Sequence, residues 1–251
     1  MTFSEKDDQP EPDYVSKDLA VFRDERQFEE RLIPLLKAGL QKYYAEVEED
    51  HDKSHETKVS FLCGYSFEAV QFAAHFAPLR SPPSRRVAVD VEGSPREHAA
   101  AKDSKWVRDR IKLEKHKLPN ANEVLLTDNS GNIYEGMASN FFVIVNENGS
   151  PMLVTAGLEH VLLGTIMKIV LRVCEKRNIP VKWDFPRLQD AINGKWEGCF
   201  LSSTSRLVLP IETIQLKDGR PNVSFPSVSE TIEAIRQDVN HELLKTSYKV
   251  L

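Results

Sequence analysis

The chain has 251 residues, 41% of them apolar and 28% charged, with a formal net charge of −5. This length and composition allow one large domain or two small ones with a core, and the acidic balance argues against a nucleic-acid partner. Apolar runs are too short to span a membrane, and the three cysteines are too far apart for a disulfide framework or a metal motif. We therefore expect a soluble cytoplasmic protein without a metal site, whose cysteines are buried free thiols.

The first ninety residues predict an acidic tail followed by a helix and strands. Residues 1–20 are rich in Asp, Glu, Pro and Lys, which predicts a mobile tail without a signal sequence. Apolar residues spaced three and four apart predict a helix over 22–46. Alternation predicts strands over 58–65 and 86–91, whereas 67–75 is compatible with a short helix or a second strand.

The remaining chain alternates hairpins and helices. Residues 99–118 have helical composition, and 123–127 with 133–135 predict a hairpin across an Asn-Ser-Gly-Asn turn. The other predicted elements are a hairpin of 140–146 with 152–155, helices over 166–177, 188–192 and 225–244, and strands over 179–183, 198–201 and 207–211.

One lysine has surroundings that could make it reactive. Lys102 follows three alanines, and desolvation or a neighbouring cation would lower the pKa of its amine enough for nucleophilic attack on a carbonyl. A solvent-facing helix lysine would give the same local pattern. His51 and His55 are four residues apart, but they lie in a polar segment and indicate a charged surface rather than a metal site.

Two turns could bind an anion. Gly164-Thr165-Ile166 opens a predicted helix, whose first amides are unpaired and favour negative charge. Ser202 to Ser205 form a hydroxyl-rich turn between two strands, where successive amides can do the same. Ordinary capping and turn chemistry explain each feature taken alone, but two such turns in one domain suggest a phosphate.

The order of these features resembles a known family. The carrying motifs are Ala-Ala-Ala-Lys, Trp-Val-Arg-Asp-Arg, Glu-Val-Leu-Leu-Thr-Asp, Gly-Asn-Ile-Tyr-Glu-Gly-Met-Ala-Ser-Asn-Phe-Phe-Val, Leu-Leu-Gly-Thr-Ile and Phe-Leu-Ser-Ser-Thr-Ser-Arg. Together they resemble the class IV (fold type IV) pyridoxal-phosphate aminotransferases over roughly residues 86–215. The group includes branched-chain and D-amino-acid aminotransferases and aminodeoxychorismate lyase, and the plant aminotransferase-like branch is the most similar.

The resemblance implies roles for individual residues. Lys102 would form the Schiff base with the cofactor, and Glu135 would face the pyridine nitrogen. Lys105 is the rival lysine, but its separation from Glu135 is 30 residues (135 − 105), against 33 (135 − 102) for Lys102, and the family's spacing favours the latter. The implied phosphate-binding residues are Gly164, Thr165, Ile166, Ser203 and Thr204.

The resemblance also implies a fold and an activity. We expect an α/β (α+β) architecture with a small amino-terminal α/β domain over 21–112 and a larger cofactor-binding domain of mixed sheets with helices over 113–251. The implied reaction moves an amino group between an amino acid and a 2-oxo acid, in a homodimer. The alternatives are a lyase that uses the same cofactor and a non-catalytic family member that acts as a binding protein.

The amino-terminal part departs from the family pattern. Phe28-Glu29-Glu30-Arg31-Leu32 imitates the family's His-x-x-Arg-Leu motif, whose arginine binds the phosphate, but it lacks the histidine. The helix over 22–46 fits the family's second helix better than its first. On that alignment the first strands and the phosphate arginine have no counterpart here.

Overall fold

The computed structural model divides into two compact units, one of residues 1–80 with 248–251 and one of 81–247. The residues that it describes are 20–46, 56–66, 69–79, 84–217 and 219–251. The predicted acidic tail, His51 and His55 lie outside this described part.

The smaller unit contains one long helix and one hairpin. Helix α1 spans Glu25–Glu46, after a 3-10 turn at Ala20–Phe22, and strand β1 (Thr57–Ser66) pairs antiparallel with β2 (Ala69–Pro78). The segment that was compatible with helix or strand is therefore a strand. Its alternation of half-buried and exposed residues is the pattern of a sheet with one solvated face.

Aromatic rings supply much of the packing in this unit. Phe61 and Phe72 stack with ring centroids 5.4 Å apart, and Phe28 meets Phe61 edge-on at 6.0 Å. No residue of α1 is fully buried, so this core is thin. Cys63 is exposed on β1, so the prediction of a buried thiol is wrong there, although Cys174 and Cys199 are buried as predicted. The two-stranded sheet has only one helix to pack against, which is too little to cover both faces of the sheet.

The larger unit is built on a nine-stranded sheet with the order β5-β4-β3-β10-β9-β6-β7-β8, to which β11 is added beside β10. Its strands are β3 (Val87–Val91), β4 (Ala121–Thr127), β5 (Ile133–Gly136), β6 (Asn140–Glu147), β7 (Ser150–Thr155), β8 (Val181–Trp183), β9 (Trp196–Ser203), β10 (Leu207–Gln215) and β11 (Val223–Ser224). Its helices are α2 (Lys105–Asp109), α3 (Ile111–His116), α4 (Thr165–Lys176), α5 (Leu188–Ile192) and α6 (Glu230–Thr246). The pairs β3–β4, β3–β10 and β7–β8 are parallel, and the other pairs are antiparallel.

Both faces of the central strands are buried. On β6, Phe142 and Ile144 join the cluster that includes residues of α4 and α6, whereas Phe141 and Val143 join a second cluster with residues of β3, β4 and β10. Successive side chains of a strand point to opposite faces, so one strand serves both cores. This explains the continuous apolar run of β6, which a strand with one solvated face would not have.

The helix predicted over 99–118 is wrong in its first part. Only α2 and α3 are helical, and residues 97–104 form turns and irregular structure. The side chain of Asp103 accepts a hydrogen bond from the Lys105 amide at 2.7 Å. Asp and Ser compete for backbone amides in this way and favour the start of a helix rather than its interior.

The last helix also begins later than the prediction of residue 225. Ser229 precedes α6, and its hydroxyl accepts a hydrogen bond from the Ile232 amide at 3.2 Å. The Phe225 amide donates to the Glu212 carbonyl instead, and β11 lies just before it. A serine cap therefore sets the helix start.

The units divide at a different place from the predicted boundary at residue 113. Strand β3 pairs with β4 and β10, so the chain from residue 81 onward belongs to the larger unit. Short β-branched strands give no sign in the sequence of the sheet that they join. Among the described residues, no helix is both long and apolar enough to cross a membrane.

Candidate active site

Lys102 lies in an irregular segment, not on a helix. The segment turns sharply where the Ala101 amide donates to the His98 carbonyl at 2.9 Å, and His98 has a φ of 52°. A positive φ is uncommon for a residue other than glycine, and such conformations cluster at functional sites. The rival, Lys105, opens α2, and its ammonium lies 3.8 Å from Asp109 on an exposed helix face.

Glu135 lies on β5 in a nearly buried ion pair. Its Oε1 accepts a hydrogen bond from Arg96 Nε at 2.6 Å, and only 7% of the Arg96 side chain and 5% of the Glu135 side chain are exposed. Its Oε2 accepts from the Leu162 amide at 3.2 Å. The carboxylate is therefore fixed from two sides, by a charged side chain and by the loop that leads to α4.

The electrostatics of Lys102 and Glu135 are linked. Partial desolvation lowers the pKa of Lys102, although the residue is classed as exposed. The positive charges of Arg96 and Arg110 lower this pKa further, and the negative charge of Glu135 raises it. Burial raises the pKa of Glu135, against the opposing effects of Arg96, the Leu162 amide and Lys102. The shift of Lys102 favours its neutral amine, whereas Glu135 keeps its charge only against the effect of burial, through Arg96 and the Leu162 amide.

Trp106 packs against the arginine of this ion pair. The Arg96 guanidinium carbon lies 5.5 Å from the centroid of the Trp106 ring, and the ring Nε1 donates to the Met137 carbonyl at 2.7 Å. A guanidinium stacked on an indole is stabilised by the ring quadrupole and loses its water on that side. The indole thereby shields one face of the Arg96 guanidinium from water.

The two predicted anion-binding turns meet around Asn140. The Asn140 side-chain amide donates to the Leu162 carbonyl at 2.6 Å, two residues before Gly164, which precedes α4. The backbone of Asn140 pairs with Ser202 between β6 and β9. Among the residues that the structure describes, no side chain caps the start of α4. The uncapped helix start, with exposed Thr165 and buried Ile166, thus lies next to the end of β9.

The turn after β9 carries hydroxyl groups and strain. Ser203 ends the strand half-buried, Thr204 is exposed, and the Ser203 and Ser205 hydroxyls are 3.3 Å apart. Within the described structure, the buried Ser202 hydroxyl has no hydrogen-bond partner. Leu207 closes the turn with a φ of 51°, an outlier for a bulky residue.

A second buried ion pair fixes this turn to the sheet. The Arg206 Nη1 donates to Glu123 Oε2 at 2.7 Å, and Glu123 has no exposed side-chain surface. The same carboxylate accepts from the Ser139 hydroxyl at 2.9 Å and from the Ala138 amide at 3.2 Å. It therefore joins the turn after β9 to the turn between β5 and β6.

Sequence reasoning missed most of these supporting residues. Arg96 and Trp106 had no assigned role, because their partners lie 39 and 31 residues away. Asn140 and Ser202 lie within the quoted motifs, and their positions at strand ends were the available signal. Glu123 was read as a strand residue only, although a charged residue in an otherwise apolar strand indicates a buried partner.

A shallow depression of about 300 Å³ lies on the same unit, where His160 and Phe185 of its lining pack against Tyr134 of β5. Its lining contains none of the predicted site residues and consists of Gly157, Leu158, Glu159, His160, Trp183, Asp184 and Phe185. The depression is not the candidate active site, because its lining contains neither Lys102 nor Glu135.

Comparisons with known proteins show the family from the sequence and the fold from solved structures. A sequence profile described as amino-transferase class IV matches residues 48–214. No curated protein matches the chain. Solved structures do match it, and their mixed α/β fold is that of the present chain.

Three solved structures illustrate the likeness. A hypothetical aminotransferase from Mycobacterium tuberculosis in its PLP-bound form is 14% identical with a TM-score of 0.64, over 93% of this chain and 82% of that one. A branched-chain aminotransferase from Thermoproteus uzoniensis with norvaline is 16% identical with a TM-score of 0.60, over 85% and 73%. A Thermotoga maritima protein provisionally described as a branched-chain amino acid aminotransferase is 20% identical with a TM-score of 0.62, over 84% and 70%.

Proposed function

The chain belongs to the amino-transferase class IV family, and on that premise we propose that it transfers an amino group between an amino acid and a 2-oxo acid, using Lys102 as the lysine that bonds the cofactor. Class IV aminotransferases use pyridoxal phosphate. That cofactor supplies an electron sink for the substrate α-carbon when it is bound.

The residues present fit this cofactor. A carboxylate has about four lone-pair sites, and Glu135 uses one on each oxygen for Arg96 and Leu162, so it can still accept the N–H of a protonated ring nitrogen. The unpartnered Ser202 hydroxyl and the uncapped start of α4 lie beside the turn that contains Ser203 and Thr204. Hydroxyls and free amides of this kind suit a phosphate.

Each residue has a role in this proposal. With the cofactor bound, Lys102 Nζ would be the group that takes up and returns the α-proton of the substrate, which requires an amine that is neutral near the operating pH. The lowered pKa of Lys102 supports that role. Glu135 would hold the ring nitrogen protonated, and the phosphate would be bound through amides and hydroxyls of Gly164, Thr165, Ile166, Ser203 and Thr204.

The observation that carries the proposal is the juxtaposition of Lys102 and Glu135. They are 33 residues apart in sequence (135 − 102), yet Arg96 hydrogen-bonds both Glu135 and the Ala99 carbonyl of the segment that carries Lys102. Lys105 instead faces Asp109 at the surface. A lysine amine near a buried carboxylate is the arrangement that this reaction requires.

Half-reaction spectroscopy tests the activity. Purified protein loaded with pyridoxal phosphate is mixed with a panel of amino acids, and the visible band of the bound cofactor is followed. An active aminotransferase loses that band as the cofactor takes the amino group, and a 2-oxo acid restores it. The panel also ranks the amino donors.

The controls separate the alternatives. Lys102→Ala removes the visible band in our proposal, whereas the neighbouring Lys105→Ala keeps it. A protein that stays colourless with added cofactor would support the non-catalytic binding protein instead. Release of an oxo acid without conversion of the cofactor would indicate a lyase.

We also propose a homodimer in the cytoplasm. The family resemblance supports the dimer, and the exposed free thiol of Cys63 supports a reducing compartment. Sedimentation equilibrium checks the first proposal, because a species at the monomer mass of 28.6 kDa would contradict it.

A further inference from the structure

Arg96 joins the two chain segments that hold the proposed lysine and carboxylate. Its Nε donates to Glu135 on β5 at 2.6 Å, and its Nη2 donates to the Ala99 carbonyl at 2.7 Å. Ala99 belongs to the irregular segment 97–104, which carries Lys102. One guanidinium thus binds both segments at once.

Trp106 adds a second tie in the same direction. Its ring lies on the Arg96 guanidinium, and its Nε1 donates to the Met137 carbonyl, one residue beyond β5. Met137 is buried, so this hydrogen bond is shielded from water. The end of β5 is therefore tied to both ends of the lysine segment, through Arg96 just before that segment and through Trp106 of α2 just after it.

Resting on the proposed function, we propose that Arg96 is a positioning residue, which with Trp106 clamps the segment 97–104 to the end of β5 and so fixes Lys102 relative to Glu135. We call this set of contacts the Arg96 clamp. Neither helix nor strand holds the segment, and its internal turn rests on the Ala101–His98 hydrogen bond. Side-chain contacts therefore decide where the segment lies.

The chemistry of arginine suits this task. Its planar fork offers donors in fixed directions, so Nε and Nη2 can serve two acceptors on different chain segments. A lysine in its place would keep the charge beside Glu135 but could not serve both acceptors in one fixed plane. The positive charge also lowers the pKa of Lys102, which supports a role in keeping that amine neutral.

Hydrogen exchange on protein without cofactor tests the clamp directly. We expect amides of residues 97–104 to exchange at least about tenfold faster in Arg96→Lys and in Trp106→Phe than in the wild type, because each variant removes one tie. Arg177→Gln is the matched control, since it breaks an arginine pair in the same unit, with Asp238 at 2.7 Å, on a solvent-exposed surface. Unchanged exchange of 97–104 in both variants would overturn the clamp.

Competitive labelling of lysines with acetic anhydride gives a second readout. Removing the positive charge in Arg96→Met favours the protonated form of Lys102, so the midpoint of its labelling moves to higher pH. Arg96→Lys keeps the charge and should leave that midpoint near the wild-type value while loosening the segment. A purely structural arginine would not separate the two variants in this way, and identical midpoints in Arg96→Met and wild type would contradict the electrostatic part.

The two proposals fail separately. A wild-type protein that binds no pyridoxal phosphate would contradict the proposed function, whereas the exchange of residues 97–104 decides the clamp without any cofactor. Arg96→Met leaves a buried carboxylate without its partner and can lose its fold. Arg96→Lys and Trp106→Phe do not share that defect, and circular dichroism confirms that they are folded before the exchange is measured.

Discussion

The proposed amino transfer depends on the negative charge of Glu135. Glu135→Gln keeps the shape of the side chain and removes the negative charge that would hold the ring nitrogen protonated. We expect the turnover of amino transfer to fall about 10²-fold or more, the loss typical of one electrostatic group at a reacting centre. Steady-state assays with the best amino donor measure it.

A matched control is available on the next strand. Glu147 is exposed at the end of β6, and Glu147→Gln should keep full turnover. Equal turnover in Glu135→Gln and in the control would contradict the role of Glu135.

At the residue scale, the sequence proposed candidates for the chemistry, which stay predictions, but it did not indicate the residues that hold them. Lys102 and Glu135 followed from motifs and spacing. Arg96 did not, because its role depends on contacts with residues 3 and 39 positions away that only the fold brings together. Likewise, no local pattern predicted that Cys63 would face solvent.

At the element scale, Gly164 lets the start of α4 approach β6 closely. A Cβ at this position would lie 2.6 Å from Asn140 Oδ1, and Asn140 is held in place by its hydrogen bond to Leu162. In Gly164→Ala the helix start must therefore shift away from the turn that contains Ser203. We expect the affinity for pyridoxal phosphate to fall about tenfold, the cost of one weakened hydrogen bond to a charged group.

Fluorescence titration with the cofactor measures this change. Gly64→Ala on β1 is the control, since an added Cβ there meets nothing within 4 Å. An unchanged dissociation constant in Gly164→Ala would count against the helix start as a phosphate site.

Arg206 connects two elements by its pair with Glu123. Removing one partner of a buried pair leaves an uncompensated charge, so Arg206→Met should lower the free energy of unfolding by about 3–5 kcal/mol. The exposed pair Lys195–Asp190 provides the control, and Lys195→Met should cost less than about 1 kcal/mol. Urea denaturation measures the free energy of unfolding of both variants. Equal losses would contradict the larger contribution of the buried pair to stability.

The elements predicted best were those with a strong local pattern. The strands and hairpins between residues 121 and 155 and helix α4 followed from alternation and helical spacing. The helix predicted over 99–118 failed because composition alone suggested it, while Asp103 and Ser104 favour a helix start there. The pairing of β3 with β10 could not be predicted, since more than a hundred residues separate them and strand pairing leaves no local signal.

At the scale of the whole molecule, the two compact units differ in core quality. Helix α1 of the smaller unit has no fully buried residue, whereas the larger unit buries Phe141, Phe142 and Phe200 almost completely. We propose that the units are separate domains, and we expect two thermal transitions in calorimetry, with the smaller unit unfolding first. Phe72→Ala should then lower only the first transition, and Phe200→Ala only the second. One transition that both variants lower equally would contradict this.

The division of the whole chain was only partly predictable. The family resemblance implies two domains with the smaller one first, and this stays a prediction that calorimetry tests. The position of the division did not follow from the resemblance, because it depends on which sheet receives β3, and that is settled by packing between distant segments.

The central claim is that Lys102 bonds the cofactor, and covalent trapping tests it most directly. The protein is incubated with pyridoxal phosphate, reduced with borohydride and digested, and the modified peptide is located by mass spectrometry. The account predicts the label on Lys102. It predicts no comparable label on the neighbouring Lys105, whose amine faces Asp109. A label on Lys105 with Lys102 unmodified, or no label on either, would contradict it.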